Sequence, residues 1–355
     1  MLPVVLLVVF LVGCVVGGVL NLCAARLPYE KSLLWPGPRC FACAQPMRWY
    51  ECVPVLGYFL SAGKCPTCGV RRSLVPALVE VGTGLAFVGL FYLEIVGNVL
   101  ELPTLAASAE AIGQGDVPLV AWQVFAVHAL LVSLLLLVAI CDLEHLEIPL
   151  SVTVTGTCLG LVVSMLCPWP WPAAFGLPAA TLTDPFPAIP PGLYPWPVWH
   201  ELPDGMPPGS WQLGLATGLA GAAAGALVLR GVRFLFGLGR GIEGLGMGDA
   251  DLMMMAGAFV GWQVVVLAFF VAVFPGLVLG LAQLFLRGDR PFPFGPPLCA
   301  GVLLTLWAWP WLGRQFQPLL TNGELLAILV GLGAVLLIVT AFGLRLLHAV
   351  FDRKG

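Results

Sequence analysis

The sequence predicts an all-α polytopic membrane protein: a bundle of eight or nine transmembrane helices with a small cytoplasmic zinc-binding loop domain. Three observations predict it. Of 355 residues, 59% are hydrophobic and 10% are charged, with a mean hydropathy of +0.98; a soluble domain is roughly 25% charged. Nine apolar runs approach the length that a membrane helix needs, about 20 residues. Four of the eleven cysteines stand as two CxxC pairs in one polar stretch. The same composition excludes an ordinary cytosolic enzyme and a disordered chain. A net charge of −3 leaves no basic footprint for nucleic acid.

Taken in order, residues 1–25 form a first membrane helix. No Lys or Arg precedes the apolar run, so the basic start of a removable secretory signal is missing. Further runs lie near 75–97, 119–141, 148–167, 211–235, 250–269, 270–286, 296–313 and 325–349. The stretch 250–286 is too long for one span, and Pro275-Gly276 marks either a turn or a kink. Hence the count of eight or nine. Lys and Arg favour cytoplasmic loops. Seven of the sixteen lie between the first two spans: Arg26, Lys31, Arg39, Arg48, Lys64, Arg71 and Arg72. With nine spans and the N-terminus outside, every basic residue except Arg314 falls on the cytoplasmic side. That places 26–74, 141–149 and 233–250 in the cytoplasm. The loops 98–118 and 168–210 carry no Lys or Arg and fall outside. The expected organisation is therefore a helix at 1–25, a cytoplasmic zinc-binding domain at 26–74 and a membrane domain at 75–355. Within the last, 168–210 holds thirteen prolines with Trp169, Trp171, Trp196 and Trp199. Proline at that density prevents regular structure, and tryptophan suits the headgroup region. Gly214, Gly218, Ala222 and Ala226, beside Gly221 and Gly225, form a small-residue stripe that lets helix backbones approach.

The cysteines carry the first chemistry. Cys40-Phe41-Ala42-Cys43 and Cys65-Pro66-Thr67-Cys68 are separated by 21 residues. Two such knuckles supply four thiolates to a tetrahedral zinc. Disulfides and redox thiols compete with that reading, but a cytoplasmic loop lies in a reducing compartment. Four protein ligands leave no open position, so the zinc would be structural. Cys52 stands between the knuckles as a bystander. The remaining six cysteines, in or at the ends of spans, read as small apolar residues.

Two acidic sites carry the second. Asp142 ends span three in Cys141-Asp142-Leu143-Glu144-His145-Leu146-Glu147-Ile148-Pro149. Asp249 begins span six after Gly244, Gly246 and Gly248. Ionisable groups at membrane spans are costly and usually functional. Both fall on the cytoplasmic side, where they could meet. Two carboxylates in one site share a proton. One then takes a proton from water while the other donates to the scissile carbonyl, which is aspartic protease chemistry. Each aspartate alone reads as a helix cap or an interfacial charge; the pair, with glycines before one and Ile-Pro after the other, points to catalysis. Glu144 and Glu147 read as solvated charges. His145 either tunes Asp142 or lies at the surface. His128, in mid-span, reads as a helix-to-helix hydrogen-bonding group. Glu80 is an intramembrane charge that composition does not explain.

Together these motifs resemble the type IV prepilin peptidase family, also called leader peptidase/N-methyltransferase. Gly18-Val19-Leu20-Asn21 with Arg26-Leu27-Pro28 is similar to the family's first-helix exit. The two CxxC knuckles, with Trp49-Tyr50-Glu51-Cys52-Val53-Pro54 between them, resemble its cytoplasmic zinc domain. Leu78-Val79-Glu80 resembles the helix entry after it. Asp142 with Ile148-Pro149, and Glu243-Gly244-Leu245-Gly246-Met247-Gly248-Asp249, resemble its two catalytic motifs. Phe292-Pro293-Phe294-Gly295-Pro296 resembles a later motif. The resemblance implies cleavage of a leader from prepilins or pseudopilins at the cytoplasmic face of the bacterial inner membrane. Methylation of the new N-terminus by S-adenosylmethionine would follow. The methyl-donor site is not readable from the sequence. The departures are Asp251 where the family usually has Lys, the long 168–210 loop and the final span. Two other readings stand beside it. One is a catalytically degenerate assembly component. The other is an ion-coupled transporter, which would need carboxylates at mid-span.

Overall fold

The computed structural model describes residues 1–33, 35, 37–167, 206, 210–240, 246–287 and 292–351. Among these residues, the regular structure is helical, with two isolated β-bridges. The helices are α1 Leu2–Ala24, α2 Leu56–Leu60, α3 Val75–Phe91, α4 Pro103–Ala107, α5 Ala109–Gln114, α6 Leu119–His145, α7 Leu150–Leu166, α8 Trp211–Arg240, α9 Met247–Arg287, α10 Gly295–Trp307, α11 Trp309–Thr321 and α12 Gly323–Phe351. Among the described residues, six stretches are long and apolar enough to cross a membrane: Leu2–Tyr29, Val75–Val96, Leu119–His145, Trp211–Leu238, Met247–Leu286 and Gly323–Gly343. α7 and α10 are apolar but shorter. The expected loop at 98–118 instead holds α4 and α5. The 168–210 loop, apart from Met206 and Ser210, lies outside the described residues, as do Glu243, Gly244 and Leu245.

The chain divides into two units. Unit 1 is Met1–Val99 with Thr104–Val152, and unit 2 is Leu100–Pro103 with Thr153–Gly355. In unit 1, α1 packs along α3 through glycines. A Cβ on Gly13 would lie 2.8 Å from the Cα of Gly84, and one on Gly17 would lie 2.7 Å from the Cα of Glu80. α3 meets α6 through rings: Phe91 lies 5.4 Å from both Trp122 and Phe125, and Phe87 lies 5.9 Å from Phe125. α3 runs on into one π-turn, Tyr92–Val96. There Glu94 is fully buried, and its Oε2 lies 2.6 Å from Nδ1 of His128. The expected role of His128 is met, but the sequence did not single out its partner.

In unit 2 the small-residue stripe of α8 lies against α9. A Cβ on Gly221 would overlap the Gly257 carbonyl oxygen and lie 2.6 Å from the Cα of Gly261; one on Gly225 would overlap the Met253 carbonyl. Apolar burial cannot hold helices together in lipid, so this close packing does. Gly221→Ala should therefore destabilise the folded protein by about 1–3 kcal/mol. Thermal unfolding in detergent would read the loss.

α9 is 41 residues long, about 60 Å at 1.5 Å per residue and twice the hydrocarbon thickness. It is two helical pieces. The break falls at Gly261, at φ 76 and ψ 179, while Pro275 lies inside the second piece. The expected boundary between 250–269 and 270–286 is thus displaced to Gly261, and Pro275-Gly276 makes no turn. Glycine has no Cβ and adopts that backbone without a clash, whereas proline inside a membrane helix is tolerated. Near the break, the Ala258 carbonyl accepts the Ser164 hydroxyl of α7 at 2.7 Å.

Candidate active site and metal centre

The two CxxC segments fold as matching knuckles. In the first, the Cys40 N–H donates to the Gln45 carbonyl at 3.0 Å and the Ala44 N–H to the Cys40 carbonyl at 2.9 Å. In the second, the Cys65 N–H donates to Val70 at 2.9 Å and the Gly69 N–H to Cys65 at 2.8 Å. Each turn closes on a left-handed residue, Ala44 at φ 55 and Gly69 at φ 72. Bridges Arg39–Pro46 and Lys64–Arg71 fasten the bases.

The four ligand sulfurs lie within 4.8 Å of one another. Cys40–Cys68 and Cys43–Cys65 are each 3.9 Å apart. A tetrahedral zinc with bonds of about 2.3 Å needs sulfurs about 3.8 Å apart, and a disulfide needs about 2.05 Å. The thiols therefore fit a metal. The backbone N–H groups of Cys68 and Thr67 pull the Cys65 thiol down to about 6. Those of Cys43 and Ala42 lower Cys40 as well. Turning N–H groups onto sulfur favours the thiolate, the form that binds metal.

Beside the cluster, Glu51 forms an ion pair with Arg72, with side chains 3% and 15% exposed. Gly57 lies on the Glu51 backbone, where a Cβ would fall 2.7 Å from the carbonyl carbon. Cys52 stands exposed outside the cluster.

Asp142 lies in the last turn of α6, in unit 1, and is 6% exposed. The helix ends just beyond it, where Leu146 turns left-handed at φ 55 and donates its N–H to the Asp142 carbonyl at 2.9 Å. Glu144 and Glu147 are exposed, as expected of solvated charges. The His145 ring packs edge-on against Tyr29 at 5.4 Å.

Asp249 lies in the first turn of α9, in unit 2, and is 9% exposed. A helix N-terminus favours a carboxylate. Gly246 lies beside the carboxylate, where a Cβ would come 3.5 Å from Asp249 Oδ2.

Asp251, the departure from the family pattern, has a cation of its own. Arg230 of α8 donates to its Oδ1 at 2.9 Å. Arg230 is 48% exposed, so a double-mutant cycle with Arg230→Gln and Asp251→Asn should return a coupling of only about 0.2–1 kcal/mol. Asp251→Lys alone would set a second cation against Arg230 and should lower the unfolding temperature.

Fold and site define a class: a polytopic helical membrane protein with a four-cysteine cluster that fits a metal and buried aspartates at the ends of two long helices. Residues 11–93 match the bacterial peptidase A24 N-terminal domain, and residues 207–281 match the type IV leader peptidase family. Both matches, and the relatives that follow, place the chain's similarity in the type IV prepilin leader peptidase/N-methyltransferase family. The first match holds all four cluster cysteines and Glu80; the second holds Asp249; Asp142 lies between them.

Among curated relatives, the prepilin leader peptidase/N-methyltransferase of Myxococcus xanthus (strain DK1622) is 29% identical, over 81% of this chain and 69% of its own length. That of Pseudomonas putida is 28% identical, over 83% and 88%. That of Bacillus subtilis (strain 168) is 25% identical, over 84% and 92%. No solved structure matches the chain.

Proposed function

We propose that this protein cuts the leader from prepilin-like or pseudopilin precursors, with Asp142 and Asp249 as the catalytic pair, and then methylates the new N-terminus. The observation that carries the reading is the pair of buried carboxylates at helix ends, each inside its own motif. One carboxylate takes a proton from water, and the resulting hydroxide equivalent adds to the scissile carbonyl. The other gives its proton to the carbonyl oxygen. Collapse breaks the C–N bond and returns a proton to the leaving amine. In the second step S-adenosylmethionine, when bound, would supply the methyl group: the free amine would attack its methyl carbon, the S–C bond would break as the N–C bond forms, S-adenosylhomocysteine would leave, and the amine would lose a proton.

The four thiols are read as a structural zinc site, held by Cys40, Cys43, Cys65 and Cys68. α7, α10 and the two pieces of α9 complete the eight or nine crossings, with 26–74 and both aspartates at the cytoplasmic face of the inner membrane. The basic residues gathered between α1 and α3 support that orientation.

The test is mass spectrometry of a prepilin incubated with the purified protein and S-adenosylmethionine. A shortened product carrying one methyl group supports both steps. A shortened, unmethylated product removes the second. An uncut substrate, with the protein folded, favours a degenerate assembly component.

A further inference from the structure

Three motifs that the cleavage chemistry does not use meet at one carboxylate in unit 1. They are the end of α1 at Asn21, the turn Pro54-Val55 between the two knuckles, and Glu80 on α3. We propose that Glu80 latches the four-cysteine segment onto α1 and α3, and that it is a positioning residue for methyl transfer. The second half rests on the methyl transfer proposed above and itself assigns that step to this segment.

The close approach of α1 to α3 through Gly13 and Gly17 creates the meeting point. It brings the Glu80 carboxylate beside Gly18, where a Cβ would sit 3.6 Å from Glu80 Oε1 and 3.4 Å from the Pro54 ring. Asn21 Nδ2 donates to the Pro76 carbonyl at 2.9 Å, tying the end of α1 to the first turn of α3. It also reaches the Glu80 carboxylate.

The third partner is the strained one. Val55 has φ 62 and ψ −57, and the Leu56 N–H closes on the Pro54 carbonyl at 2.6 Å. This is the γ-turn of positive φ, rare in any sequence and rarer for a β-branched residue. Such a turn persists only where its surroundings hold it. Here the Val55 N–H donates to Glu80 Oε2 at 2.6 Å, a charge-assisted hydrogen bond of the strong kind.

The latch differs from the segment's other ties. The cysteine cluster and the Glu51–Arg72 pair lie within 40–72 and hold the segment to itself. Chain connectivity holds it to α1 and α3 at its two ends. The Glu80–Val55 bond joins its middle to a membrane helix. Losing it should free the segment to move as a body while the metal stays bound. Neither aspartate lies in this segment, so cleavage should persist.

The test uses the full chain in lipid nanodiscs with Glu80→Ala, Glu80→Gln and Glu80→Asp. Four quantities are read: zinc per chain, cleavage rate, methylation of pre-cut product, and hydrogen exchange of amides 53–57. Glu80→Ala should speed Val55 exchange by about tenfold or more, as expected for a lost hydrogen bond to a charge. It should cut methylation by a similar factor, leaving zinc and cleavage near wild type. Glu80→Gln keeps an acceptor oxygen and should recover part of both.

Unchanged exchange in Glu80→Ala would overturn the latch. Faster exchange with normal methylation would overturn the positioning role. A joint fall of zinc, cleavage and methylation would make Glu80 a general folding contact and overturn both. If the wild-type chain cuts but never methylates, the methylation half of the proposed function and the positioning role fail together. Exchange at Val55 then decides the latch by itself.

Discussion

Asp142→Asn and Asp249→Asn should each abolish leader cleavage, by roughly 10²- to 10⁴-fold or more, the range of a lost acid–base group. Asparagine keeps the size of the carboxylate and can still accept hydrogen bonds, so packing should survive. It can neither hold a negative charge at neutral pH nor give up and take back a proton. Under the proposed mechanism, in which the two carboxylates work together, the double variant should be little worse than either single. The measurement is cleavage of a prepilin by each variant, with thermal unfolding and zinc content as controls for folding. Wild-type cleavage by either folded variant would remove that residue from the catalytic pair. Glu144→Gln, in the same stretch but exposed, should cut normally.

Removing the metal should have the second largest effect. Cys65→Ser, or prolonged treatment with a strong chelator, should strip the cluster and unfold the segment around it. Structural zinc contributes about 10–16 kcal/mol of apparent binding energy in small peptides at neutral pH. Between Arg39 and Arg72 the described chain has two short helical pieces, 49–52 and 56–60, and two isolated bridges. With so little packing of its own, the segment should lose its form with the ion. The expected readings are loss of bound zinc, rapid alkylation of the remaining cluster cysteines, and loss of methyl transfer. Cys52→Ser should keep the metal, since Cys52 lies outside the cluster. Full zinc content in Cys65→Ser would rule out the four-thiol site.

The two predictions differ in how openly their residues stand in the sequence. A paired CxxC is legible because tetrahedral thiolate ligation needs short, repeated spacing. The structure brings those four sulfurs within ligand distance of one another. The aspartates are legible as polar breaks in apolar runs, and the structure buries each at a helix end. Spans are legible because the thickness of a bilayer sets their length. The small-residue stripe of α8 is legible because close helix packing in lipid requires it.

What the linear chain conceals is pairing across sequence distance. Glu94 looks like one more charge near a span end until the π-turn aims it at His128, 34 residues away. Asp251 looks like an unanswered departure until α8 brings Arg230 to it. The break in α9 looks as though it belongs to Pro275, and falls at Gly261. Asn21, Pro54 and Glu80 stand in three separate motif fragments of the sequence.

By its own composition and spacing, then, this chain establishes a helical membrane protein with a four-thiol cluster and two isolated aspartates. Those properties follow from local rules: hydropathy, helix length and ligand spacing. Which charge answers which, where a long helix breaks, and what holds the cysteine segment to its helices depend on contacts between residues far apart in sequence. Such contacts come from side-chain packing and backbone approach in three dimensions, and no local pattern encodes them.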